Sequence, residues 1–335
     1  MNNSLRMLLP LGASLAVVLA GCGASSPSHA WSSLGLPQGA MPQALALTPG
    51  KHPFLYVGTS SGVLRSRDGR SWKAAGLSGK SVLHLAVDPR DRRVLLAATL
   101  QSLYRSTDGG RRWSRTKTFG SQAFHQAIFD PGNPTLAFAG VWAEGVVGPT
   151  LWASHNGGIS WQPVAGLPRA DIDALTFSPA GRRLYVGTYG YGLFVTTNAG
   201  KAWRTLNQGL PLHTDMTHLA IDPADPQLLY EGTHQRGIYR SRNGGKSWQA
   251  VNRGLESALD IHALAVDPRN PSILFAGDMD NSGGAFVSRD GGRRWTAYDR
   301  GLGSHSLNSF VVDATDGKLY AVTMNGLYWR PLPGA

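Results

Sequence analysis

Cysteine is almost absent from this chain: Cys22 is the only one in 335 residues. Internal disulfides are excluded, so the fold must rest on buried apolar surface and on the way the chain closes on itself. Long apolar runs are missing too. The one candidate, Met7 to Ala20, is broken by Pro10 and falls short of the roughly 20 residues that a membrane span requires. No heptad pattern, long helix or low-complexity tract follows it. Carboxylates are thin, 21 Asp and Glu against 32 Lys and Arg, and none lies between Met41 and Ser66. A reaction that needs an acid in that early stretch has nothing to draw on.

What fills the chain instead is 42 Gly, 20 Pro and one short phrase that returns six times. The phrase is a Ser or Thr, then Asp or Asn, then Gly, then Trp. Five copies are full length, running to Trp113, Trp161, Trp203, Trp248 and Trp295, and a shorter one runs from Ser66 to Trp72. Successive tryptophans fall 41, 48, 42, 45 and 47 residues apart, the period of a propeller blade or a solenoid unit. Within each copy the short polar side chains cap backbone N–H groups, and Gly supplies the positive φ of a tight reversal. The Trp opens a strand and can lay its ring under the turn. The acidic position is Asp68, Asp108 and Asp290 in three copies but Asn156, Asn198 and Asn243 in the others. A catalytic or calcium-binding carboxylate would not tolerate that exchange, so these six residues are expected to be structural.

These phrases resemble the Asp-box, or BNR, repeat of sialidase-like, sortilin-like and photosystem-assembly-factor propellers. The resemblance covers residues 31–333. Around each box an alternating strand ends in an Asp-Pro turn, as in His84 to Pro89, and two further apolar runs lead into the box. Four short strands with turns between them make one blade. The last segment, Asn308 to Leu332, has three strands but neither box nor closing Trp, whereas Trp31 to Pro37 looks like a closing strand without its blade. The reading is an all-β, single seven-bladed β-propeller with four antiparallel strands per blade, closed by pairing the N-terminal strand with the C-terminal blade.

The first residues resemble a bacterial lipoprotein leader. Arg6 precedes the apolar stretch, which ends in Leu19-Ala20-Gly21-Cys22. Residues 1–21 are expected to be a signal peptide, residues 22–30 a lipidated Cys22 with a flexible tether, and residues 31–335 the propeller. The expected location is the extracytoplasmic face of a bacterial cell membrane, with the protein lipid-anchored and monomeric. The formal net charge of +11 falls to about +10 without Arg6. Many basic residues belong to box turns (Arg111, Arg112, Arg293) or Asp-Pro turns (Arg92, Arg182, Arg269), either as an attraction to anionic lipid or wall polymer or as a solvated rim. No nucleic-acid partner is expected.

The opposite face holds the candidate site. Counting back five residues from each Asp-Pro position gives Gln43, Leu83, His125, Asp173, Thr217, His262 and Asn308, of which six are polar. Two positions further on, Leu45, Leu85, Ala127, Leu175, Leu219, Leu264 and Phe310 are all apolar. That is a polar collar above a packing layer. Loops on this face add Trp142, Tyr189, Tyr191, His234 and Asp278, whose aromatics suit stacking on a sugar or gripping a peptide, or else fold back onto neighbouring blades. Candidate ligand-binding residues are therefore Gln43, His125, Trp142, Asp173, Tyr189, Tyr191, Thr217, His234, His262, Asp278 and Asn308. His125, Asp173 and His262 are of metal-ligand type, but nothing fixes their spacing, and no metal or cofactor is expected.

Sialidases also carry this repeat, together with an Arg-Ile-Pro signature that is absent here. The acids read as candidates outside turns and boxes are Glu144, Asp171, Asp173, Asp215, Asp260, Asp278 and Asp280. Asp173 with Asp260 or Asp278 could form a glycosidase pair. Xyloglucanase-type Asp-box enzymes, however, use two propellers. The expectation is a non-catalytic, membrane-anchored propeller that binds a protein, peptide or glycan on the face without boxes, similar to sortilin-like binders and photosystem assembly factors. The alternative is a glycoside hydrolase of sialidase or xyloglucanase type.

Overall fold

The structure, a computed structural model, describes residues 30–118, 123–142, 148–211, 213–255, 259–280, 284–303 and 306–334. Cys22 and the whole of segment 1–29 lie outside the described residues, as do 143–147, with Glu144, and 281–283 in the two longest loops. The described residues form seven four-stranded antiparallel sheets, each packed on the next around a ring, with no helix among them. This is the seven-bladed propeller expected from the repeat.

Each blade runs outward from an inner strand at the channel. Blade 5, for instance, is Met216–Ile221, Leu229–Thr233, Gly237–Ser241 and Gln249–Ala250. Antiparallel order puts the Asp-Pro and Asp-box turns on one face, the box face. The hairpins between second and third strands, with the links between blades, lie on the other, the mouth face. Second strands are buried along their length, as in Leu184–Thr188, because neighbouring blades cover both sides of each sheet. The core is accordingly divided into seven clusters, one per interface, such as Tyr56, Val63, Val82, Leu85 and Leu95 between blades 1 and 2. Outer strands pair over only two residues in six blades, both exposed, which offers little edge for another chain to extend.

The boxes behave as turns. In the first, Asp68 Oδ1 accepts from the Ser66 hydroxyl (2.9 Å) and from the N–H groups of Arg70 (2.9 Å) and Ser71 (2.8 Å), while Ser66 Oγ accepts from Gly69 N–H (3.0 Å). Bonds from Ser71 and Arg70 hold the Asp68 carboxyl well below the usual carboxylate range. Asn156 does the same work with its amide oxygen, accepting from Ser160 N–H at 2.9 Å and from the Ser154 hydroxyl at 2.9 Å. The charge is dispensable, as the Asn copies imply.

The tryptophans do more than lie under their own turns. Each indole N–H reaches the outermost segment of the preceding blade: Trp72 to the Leu34 carbonyl (3.0 Å), Trp113 to Ala75 (2.8 Å), Trp203 to Ala165 (3.1 Å), Trp248 to Leu206 (2.8 Å) and Trp295 to Val251 (2.8 Å). Trp161 uses the Thr116 hydroxyl instead (3.1 Å). Trp31 completes the circle by donating to the Tyr298 carbonyl. The backbones approach closely at the same seam. Gly254, at φ +94°, would put a Cβ 2.1 Å from the Trp295 carbonyl oxygen, so no side chain fits there.

Closure follows the sequence reading. Ser32 and Ser33 pair with Trp329 and Tyr328, and Leu34 N–H donates to the Leu327 carbonyl at 2.9 Å. Trp31 stacks on Phe310 at 6.0 Å and meets Tyr298 edge-on at 6.2 Å. The buried Arg330 guanidinium lies 3.4 Å over the Tyr298 ring.

Replacing Trp248 with Phe leaves the Leu206 carbonyl without its donor and removes part of the buried ring volume, at a cost of at least about 1 kcal/mol. Calorimetry should show the midpoint falling by at least about 2 °C. Gly254→Ala should cost more, about 1–3 kcal/mol, because backbone must move. Equal midpoints for wild type and Trp248→Phe would show that the indole bond adds no stability.

Candidate binding site at the channel mouth

In all seven inner strands the register slips by one residue at the same place. The residue left unpaired is Gln43, Leu83, His125, Asp173, Thr217, His262 or Asn308, so the collar read from the sequence is a ring of β-bulges. A bulge releases its extra residue from the in-and-out alternation of the strand, which lets polar groups sit here at little cost to packing. Two residues on, Leu45 and its six counterparts are buried, as expected.

The collar residues differ in what they meet. Gln43 accepts from the Ser81 hydroxyl of the next blade at 2.8 Å. Thr217 requires a correction: its side chain is buried and its hydroxyl donates to the Ile261 carbonyl of blade 6, so it fastens two blades and offers nothing to a ligand. Asn308 is half-buried, with Oδ1 lacking a partner. His125 lies 5.5 Å from Trp142 between ring centres, and burial lowers its pKa. Tyr189, Tyr191 and Trp142 do not fold away; they are 58%, 57% and 52% exposed. Leu100 and Met324, also exposed, stand on hairpins of the same face and with the three aromatics make an apolar rim, while exposed Met41 stands just before the inner strand of blade 1.

Inside the rim lie the acids. Asp171, Asp215 and Asp260 occupy one equivalent place, just before the inner strands of blades 4, 5 and 6. Their backbone carbonyls accept from Tyr189 (3.1 Å), His234 (3.2 Å) and Met279 (2.9 Å) N–H groups, which ties each to the hairpin opposite. Burial, reinforced by the charges of Asp215 and Asp171, pushes Asp173 up to about 7, and its Oδ2 has no partner. Burial likewise raises Asp215. Asp278 stands where five blades have a Thr whose hydroxyl closes the hairpin, as Thr233 does onto the Gly237 carbonyl at 2.7 Å. Burial raises Asp278 to about 6.

Blade 6 also gathers a triad. His234 Nδ1 lies 2.7 Å and His262 Nε2 3.1 Å from the same oxygen, Oδ1 of Asp260. Burial pulls the Asp260 pKa up, but bonds from both imidazoles outweigh it and leave the carboxyl below its usual range. The His125, Asp173 and His262 grouping is therefore replaced by His234, Asp260 and His262. Linear spacing gives no sign of this, since His234 comes from a hairpin of another blade.

A second residue escapes the sequence reading altogether. Glu231 is 0% exposed, and neither carboxyl oxygen has a hydrogen-bond partner. Burial raises its pKa well above the usual value. The aligned repeats carry the signal, because its counterparts facing the inner strands are Val57, Ala97, Ala139, Val186, Ala276 and Ala321.

Basic side chains gather on the box face. The exposed arginines of the box and Asp-Pro turns, among them Arg92, Arg112, Arg182 and Arg293, all project from the box face. A cleft of about 520 Å³ between blades 3 and 4, lined by Asp130, Phe138, Phe177, Arg183 and Asn198, belongs to that side as well. The carboxylates and imidazoles outside the turns converge at the mouth.

The chain matches the family model Sortilin-Vps10 (Sortilin, neurotensin receptor 3) over residues 149–257 and 194–325, together just over half its length. It is similar to the xyloglucanase Xgh74A of Acetivibrio thermocellus, with 26% identity over 199 residues, 49% of this chain and 23% of that protein. Among solved structures, the GH74 xyloglucanase from Xanthomonas campestris aligns with a TM-score of 0.71 at 21% identity, over 91% of this chain and 54% of that one. YCF48 bound to D1 peptide aligns with a TM-score of 0.69 at 18% identity, over 90% of this chain and 96% of that one. These structural likenesses show the fold. The chain spans under a quarter of the curated relative and about half of the xyloglucanase structure.

The raised Asp173 carboxyl has a measurable consequence. Its folded pKa lies above the unfolded value of 3.8, so the protein loses stability as pH rises from about 4 to about 7, then levels off. Asp173→Asn should remove this component. Urea unfolding from pH 4.5 to 8 should show the variant gaining on wild type with pH, by a few kcal/mol at most. A constant difference across that range would contradict the assignment.

Proposed function

The chain belongs to the Sortilin-Vps10 family, and from that premise we propose that it is a non-catalytic binder whose channel mouth captures a peptide segment carrying a cationic side chain beside apolar ones. The observation that carries this is the arrangement of one face, with Asp171 and Asp215 at the starts of inner strands and exposed Trp142, Tyr189 and Tyr191 on the hairpins outside them. Carboxylates attract a cation, and flat aromatic rings take up apolar side chains at low entropic cost. The near full-length likeness to YCF48 bound to D1 peptide supports the reading, since that protein is a propeller of similar extent.

A second reading, glycoside hydrolysis, draws on Asp173 at about 7 and Asp278 at about 6. Carboxyls that stay protonated near neutrality are what a general acid requires. The xyloglucanase relatives favour it, although this chain spans only about half of the xyloglucanase structure.

One experiment separates the two. Fluorescence anisotropy on the full chain should show Arg- and Trp-containing peptides binding, with affinity falling at least roughly tenfold in Asp171→Asn/Asp215→Asn and falling with salt. Xyloglucan should release no reducing ends. Turnover that disappears in Asp173→Asn would overturn the binding reading in favour of the second.

We further infer a lipid anchor at Cys22, because the first strand enters at Trp31 on the box face, so a tether there would turn the basic face to the membrane and the mouth away from it. Labelling with palmitate in bacterial cells should mark the protein. Labelling that persists in Cys22→Ala would defeat the anchor.

A further inference from the structure

Three donor atoms of the mouth converge in a way that peptide capture does not explain. His234 Nδ1 arrives from the second hairpin of blade 5, whereas Asp260 and His262 come from the start of the inner strand of blade 6. The three atoms lie within 4.8 Å of one another. The imidazoles are perpendicular, with centres 6.3 Å apart, so their nitrogens approach from different directions and do not stack. Bond lengths of about 2.0–2.1 Å around a tetrahedral zinc imply donors about 3.3 Å apart. Two of the separations here are 2.7 and 3.1 Å, both shorter than that spacing, so a metal would have to spread the hydrogen-bonded donors by about half an ångström or less.

Exposure is graded as such a centre needs. The Asp260 side chain is 6% exposed, while those of His234 and His262 are 42% and 34% exposed. The carboxylate is buried, and the two imidazoles above it reach solvent.

A hydrogen-bonded pair of histidines on one carboxylate is the simpler account, and it leaves one group unexplained. Asp278, directly across the strand pair from Ile261, is fully buried. Its Oδ1 accepts from Asp280 N–H at 2.7 Å, but Oδ2 has no partner. An orphaned carboxylate oxygen beside Asp260 and His262 is costly unless it takes up a proton or a cation lies close by, and a metal on the neighbouring groups would supply that cation.

We propose that His234, Asp260 and His262 bind a divalent transition ion of the zinc class, with Asp278 beside it as a supporting carboxylate and coordination positions open to the channel. Two imidazoles and a carboxylate favour zinc, cobalt or nickel over calcium or magnesium, which prefer all-oxygen shells. The site stands or falls separately from peptide binding.

The full, tag-free chain, stripped with chelator, is titrated with Zn²⁺ by calorimetry and with Co²⁺ by visible absorption. One equivalent should bind, and Co²⁺ should give the d–d bands of a low-coordinate site. His262→Ala and Asp260→Asn should weaken binding beyond the roughly 10–100-fold typical of outer-shell losses, and Asp278→Asn within that range. His125→Ala, on the same face, should leave affinity unchanged. Circular dichroism checks that each variant folds, and His234→Gln, which keeps a polar group on an exposed hairpin, covers failure of the inner-strand variants. No binding by the wild type, or binding that survives both His234→Gln and His262→Ala, would overturn the proposal.

Discussion

An indole has a single N–H to donate, and in this molecule the repeat tryptophans direct theirs across a blade boundary. A blade is a thin sheet with apolar side chains on both faces, so it cannot fold alone and must be held against two neighbours. The hydrophobic clusters supply most of the attraction, but they are non-directional and would tolerate sliding. The indole bond fixes the angular step from one outer strand to the next, and glycines such as Gly254 let the backbones come close enough for it to form. Channel diameter, and with it the spacing of every group at the mouth, follows from that repeated step.

Given such a ring, function has to come from departures from the repeat. All seven inner strands carry the same bulge, yet blade 1 uses it for a bond to its neighbour, blade 5 for a bond to the backbone, and blades 3 and 6 for imidazoles. The hairpin position closed by Thr in five blades becomes Asp278 in blade 6. Three successive blades place Asp at the entrance to their inner strands. The chemistry is concentrated in blades 3 to 6, and the remaining blades act mainly as the frame that holds it.

Architecture was legible because its signals are local. A box, an Asp-Pro turn or a bulge each lies within a few consecutive residues, and even closure could be read from a missing strand at one end and a surplus strand at the other. The collar was legible as positions, for the same reason. What its side chains do was not, because that depends on the neighbouring blade: Thr217 looks free until Ile261 is placed beside it, and Asp260 looks like a lone acid until His234 swings over it. Glu231 was hidden differently. It sits in a strand whose pattern otherwise predicts a plain buried aliphatic, and only the aligned repeats expose it as the exception.

The closing strand gives the ring a seam. Six blades are each a single continuous meander, but blade 7 is assembled from the two ends of the chain, joined by a two-residue pairing and by Trp31 lodged against Tyr298 and Phe310. During synthesis Trp31 emerges ahead of blades 1 to 6 and waits for its partners until blade 7 is made. The propeller therefore completes as a topological unit only once Gly326–Pro331 has been made and can receive the first strand. In the finished molecule the same seam is the one boundary within a blade that no hairpin spans.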